Sequence, residues 1–136
     1  MDSDFDFWLG TWHGTWDGGS GTNAVTREHA GKVVLERFSA DEPEPFAGTS
    51  VSVFDERERC WKQTWVDDNG SYLDFRGAFR HGAMVLARQF LADGELVTQR
   101  MIWRDIEADR FSWAWQRSRG AAGWETLWKI EYERIR

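Results

Sequence analysis

Ten tryptophans stand in a chain of 136 residues, and eight of them pair at even spacing. Trp12 and Trp16 flank Gly14, Trp61 and Trp65 flank Gln63, and Trp113 lies two before Trp115. Trp124 and Trp128 flank Thr126. Alternate residues of a β-strand share a face, so this spacing turns each pair of rings toward one surface. Such rings either fill a core or wall a cavity.

Turn signals cut the chain at short intervals. They include Asp17-Gly18-Gly19, Ala30-Gly31, Asp68-Asn69-Gly70, His81-Gly82, Asp93-Gly94 and Gly120-Ala121-Ala122-Gly123. Asn-Gly and Asp-Gly tolerate positive φ and mark hairpins. Nine such punctuations leave ten segments rich in Val, Phe, Trp and Thr, the residues strands favour. Pro43 and Pro45 fall in one connection, where neither interrupts a ladder. Helix signals are confined to Asp2–Leu9, with Asp2 or Asp4 as N-cap and Phe5, Trp8 and Leu9 turned inward. The expected fold is all-β: an antiparallel up-and-down barrel of about ten strands with a short N-terminal helical segment. A sandwich is the alternative. One domain, residues 1–136, is expected, with no internal repeat.

Charge narrows the partners. Seventeen basic and 23 acidic residues give a net charge of −6, with the two signs interspersed. No basic patch suited to nucleic acid or anionic lipid stands out. The acidic start Met1-Asp2-Ser3-Asp4 lacks the basic and apolar regions of a secretory signal, and no apolar run approaches a membrane span. Cys60 is the sole cysteine, which rules out an internal disulfide and a Cys-based zinc cluster. A cytoplasmic location is the expectation.

Strand parity assigns faces. In the last strand Trp124, Trp128, Ile130, Tyr132 and Arg134 are expected to face inward, opposite Glu125, Lys129, Glu131 and Glu133. Phe111, Trp113, Trp115 and Arg117 share the inner face of the preceding strand, as do Trp12 and Trp16 in the first. Trp61, Gln63, Trp65 and Asp67 do so in the fifth. Met84, Leu86, Arg88 and Phe90, and Val97, Gln99, Met101 and Trp103, are assigned inward with less contrast between faces. Polar groups on a tryptophan face are informative, because a sealed core must satisfy each one or lose about 1–3 kcal/mol. Gln63, Tyr132 and Arg88 are such groups, and a wet or ligand-filled interior satisfies them readily.

Gly10-Thr11-Trp12, placed after a short helical segment and opening the first strand, resembles the Gly-x-Trp signature of lipocalins and the wider calycin superfamily. The resemblance implies that Trp12 closes one barrel end and that an arginine of the last strand crosses it, Arg134 by parity, with Arg136 as alternative. A cation over an indole face contributes about 0.5–2 kcal/mol. Ten strands resemble the fatty-acid-binding and nitrobindin branches more than the eight-stranded lipocalins. Gly10-Thr11-Trp12-His13-Gly14-Thr15-Trp16 is similar to the nitrobindin opening, with Trp16 in place of its last glycine. Nitrobindins hold haem through a histidine near the C-terminus, and no histidine follows His81 here. Phe5–Trp12 and Gln63–Asp67 are also similar to uncharacterised bacterial lipocalin-like proteins, a likeness that brings no activity with it.

Other chemistry finds little support. His13 points outward by parity, and His29 and His81 sit at turns, so no metal is expected. Asp67 and Asp68 introduce the Asn69-Gly70 turn, which accounts for them without catalysis. Ser50 and Ser52 alternate with no evident base beside them, and Cys60 reads as an inert thiol. The expected function is therefore binding of a small, largely apolar or aromatic ligand, with no cofactor. Trp65, Trp113, Trp115 and Trp128 are expected to line the site, and Gln63, Arg88 and Tyr132 to orient the ligand's polar end. An inward arginine would suit an anionic head group. The alternatives are a barrel enzyme using Asp67, Arg88 or Tyr132, a nitrobindin-like haem protein, and a homodimer through outer Val85, Ala87 and Leu91.

Overall fold

The computed structural model describes all 136 residues. A single 3-10 turn, Asp6–Trp8, precedes ten strands: β1 (Gly10–Trp16), β2 (Gly19–Glu28), β3 (Val33–Glu42), β4 (Phe46–Asp55) and β5 (Cys60–Asp67). Next come β6 (Tyr72–Arg80), β7 (Ala83–Ala92), β8 (Glu95–Arg104), β9 (Arg110–Arg119) and β10 (Glu125–Arg134). Each strand pairs antiparallel with its sequence neighbours, and β1 pairs with β10 to close the barrel. Closure leaves no unpaired edge. No helix is long and apolar enough to cross a membrane.

The helical start is shorter than its sequence suggests. Phe5 occupies the N-cap position with no side-chain cap bond. Asp4 does different work: its carboxylate accepts from the Trp61 indole N–H at 3.3 Å and from the N-terminal ammonium at 3.0 Å. Phe5 and Trp8 are buried and plug one end of the barrel. Their rings meet Trp61 and Trp103 edge to face at centroid distances of 4.8–5.3 Å.

Trp12 completes that plug. It is fully buried and donates its indole N–H to Trp8 O at 2.9 Å. The Arg134 guanidinium lies 4.2 Å above the Trp12 ring and donates to Leu9 O at 2.7 Å and to Ala108 O at 3.0 Å. Gly10 has φ +127, and a Cβ there would overlap the Arg134 guanidinium. Both facts call for glycine at this corner.

The inner face of β10 differs from its sequence parity at one point. Thr126 opposes Gln116, but Trp128 opposes Trp115, so Leu127 is an extra residue in a β-bulge. The bulge inverts everything before it. Trp124 is exposed and lies on the outer wall, where the Arg100 guanidinium stacks on it at 3.6 Å. Glu125 takes the strand parity of the inner face but stays exposed at the barrel rim, where it pairs with Arg117 at 2.5 Å. Trp128, Ile130 and Tyr132 remain inward.

Candidate functional site

Away from the plug the barrel is hollow. A cavity of about 330 Å³ lies in the opposite half, lined by 16 residues, 12 of them hydrophobic. Trp65, Trp113, Trp115, Trp128 and Tyr132 all border it, as do Phe38, Phe46, Phe75 and Trp103. Asp67, Asn69 and Ser71 from the β5–β6 turn form its mouth, and Glu36 is the polar lining residue outside that turn.

The walls are fixed by ring contacts. Trp128 meets Trp113 at 5.6 Å, Trp16 at 5.2 Å and Phe38 at 5.7 Å, each nearly perpendicular. Trp115 meets Phe75 edge to face at 5.7 Å. Trp65 lies flat on Gly48, where a Cβ would overlap its indole, and donates its N–H to Asp67 at 2.8 Å. The other Asp67 oxygen accepts from the backbone N–H of Asn69 and of Ser71. Burial opposes the Asp67 charge, but the indole and backbone donors outweigh it and hold the carboxyl below its ordinary pKa. Asp67 thus braces both the turn and one aromatic wall.

Glu36 belongs to the inner face of β3, with Val34, Phe38 and Ala40. Its carboxylate accepts from Ser50 Oγ at 2.6 Å and from Asn23 Nδ2 at 2.8 Å. Its accessible surface faces the cavity. No salt bridge reaches it, and no Lys, Arg or His lines the cavity. Desolvation raises its pKa, against the opposing pull of the Ser50 and Asn23 hydrogen bonds. Burial also pushes the Tyr132 phenol well above its ordinary value, and the nearby Glu36 charge adds to the shift.

Two of the sequence candidates lie outside the lining. Gln63 is buried between Trp61 and Trp65 and donates to Ser52 Oγ at 2.9 Å, while its Oε1 has no protein partner. Arg88 has inward parity but lies outside the lining. Its guanidinium donates to Gln99 at 2.6 Å and stands 4.8 Å from the Phe90 ring. Tyr132 and Asp67 therefore border one cavity that Arg88 does not reach. Asn23 Oδ1 and the Trp103 indole N–H are further buried polar atoms without protein partners. The outer residues Val85 and Ala87 are half-buried, whereas Leu91 is exposed near the β7–β8 turn.

His13, His29 and His81 are exposed and none lines the cavity. The residues present do not fit a histidine-ligated haem. No three of His, Cys, Asp and Glu converge as a metal ion requires. The closed ten-stranded antiparallel barrel is consistent with the calycin superfamily. No family model matches the chain, and no curated protein matches it in sequence.

Proposed function

We propose that the protein binds a small, largely apolar or aromatic molecule in the open half of the barrel. The supporting observation is the cavity itself, about 330 Å³ with aromatic walls. Small-molecule pockets combine a volume of this order with apolar walls and a few polar groups. In this reading Trp65, Trp113, Trp115 and Trp128 are contact surfaces, and Tyr132 contributes a polar edge. Gln63 and Arg88 lie outside the lining. Gly10, Trp12 and Arg134 keep the far end shut. A titration with indoles, benzenoid compounds and short fatty acids, read by tryptophan emission, tests this. Saturable change with at least one class is expected, and a flat response to all of them contradicts the proposal.

Glu36 favours a second reading, a barrel enzyme acting on a small hydrophobic substrate. A carboxyl whose proton affinity is raised by burial suits general acid or base work. On that reading Glu36→Gln abolishes turnover while substrate still binds. Equal loss of both contradicts it.

A further inference from the structure

We propose that the preferred ligand of this cavity is a small aromatic amine, bound as its ammonium ion with Glu36 as counter-ion. This rests on the cavity-binding reading and narrows it to a chemical class.

The formal charges on the lining are those of two carboxylates, Glu36 and Asp67, and no basic side chain borders the space. An anionic ligand would sit beside an uncompensated carboxylate. The Tyr132 hydroxyl, a neutral donor on the lining, is no substitute for a cation. Asp67 is already committed to Trp65, Asn69 and Ser71. Glu36 is not: a carboxylate offers about four lone-pair sites, and two neutral donors engage it. Acceptor capacity therefore remains on the one deep charge.

The aromatic walls agree with this. Indole faces carry negative potential and attract cations. Trp113, Trp115 and Trp128 stand around the same space as Glu36. An ammonium group could then meet a carboxylate and ring faces together, while the ligand's own ring fills the apolar remainder. Such charge-assisted contacts strengthen where water is excluded. A bound cation also offsets the desolvation that opposes the Glu36 charge. The net charge of −6 favours approach of a cation at long range. The cavity volume suits one ring system with a short chain and is small for a long acyl tail.

Calorimetry with three ligands of one shape decides the matter: tryptamine, ethylindole and indolepropionate. Tryptamine is expected to bind at least about tenfold more tightly than ethylindole, and indolepropionate more weakly than either. In Glu36→Gln, with its fold checked by near-UV circular dichroism, the affinities for tryptamine and ethylindole become equal. If that variant does not fold, the three-ligand order on the unaltered protein decides by itself. Ethylindole or indolepropionate binding as tightly as tryptamine overturns the ammonium proposal and leaves the cavity reading standing. If none of the three binds, the ammonium proposal fails, and the broader panel above decides whether the cavity reading fails with it.

Discussion

Glu36 faces a cavity walled by aromatic rings, and no cation answers its charge. Ser50 and Asn23 soften that situation without neutralising it. The consequence for stability has a definite sign. Glu36 has a raised pKa in the folded state, so between the ordinary carboxylate pKa and the folded value the folded protein holds a proton that the unfolded chain has already released. Its contribution is full below the ordinary carboxylate pKa and is lost as pH rises through the folded value. Glu36→Gln lacks this loss, so its stability relative to the parent grows with pH across that window. Urea melts of both proteins from mild acid to mild alkali check this. A difference that stays constant or shrinks as pH rises contradicts it. Asp67 acts in the opposite sense: its pKa is lowered, so its contribution is lost as pH falls. The inward placement of Glu36 is not legible in the sequence, because β3 carries apolar residues on both faces. Val33 and Leu35 alternate with Val34, and one glutamate among them does not reveal its side.

At the level of strands, two elements depart from the simple rule that apolar residues face in. In β4 the inner positions are Gly48, Ser50 and Ser52, all buried, while Val51 and Val53 are 44% and 39% exposed. The small inner residues make room for the Trp65 ring at Gly48, and supply a donor to Glu36 from Ser50 and an acceptor for Gln63 on Ser52. Hydropathy alone would invert this strand. In β10 the bulge at Leu127 moves Trp124 to the outer wall, and no glycine or proline within the strand signals it. Strands without such irregularity, β1, β5 and β9, were legible from their tryptophan spacing because period two maps directly onto facing. The bulge makes a contrast testable. Trp124→Ala loses one stacking contact with Arg100, about 0.5–1 kcal/mol of stability, and leaves ligand affinity unchanged. Trp128→Ala removes a cavity wall and weakens binding by about tenfold. Parallel thermal melts and titrations of the two variants distinguish them. Equal effects on affinity would place both rings on the same side.

A ten-stranded barrel is wider than the eight-stranded ones whose side chains nearly fill them, and this molecule fills one half and leaves the other open. The filled half takes Phe5, Trp8, Trp12, Trp61 and Trp103, each at most 1% exposed. The open half keeps Trp65, Trp113, Trp115 and Trp128 partly accessible around the cavity. The fold and this division were largely legible in the chain, through turn spacing and Gly10-Thr11-Trp12. The charge in the cavity was not, because it depends on which side chains converge across β3, β4 and β2. The tryptophans offer a direct measurement. Ten indole N–H groups give ten resolvable signals in a nitrogen–proton correlation spectrum. On titration with an aromatic ligand, the signals of Trp113, Trp115 and Trp128 are expected to shift and saturate together, with Trp65 at the mouth. Those of Trp8, Trp12 and outer Trp124 are expected to stay in place. Shifts confined to Trp124, or to the plugged end, would contradict a ligand site in the open half of the barrel.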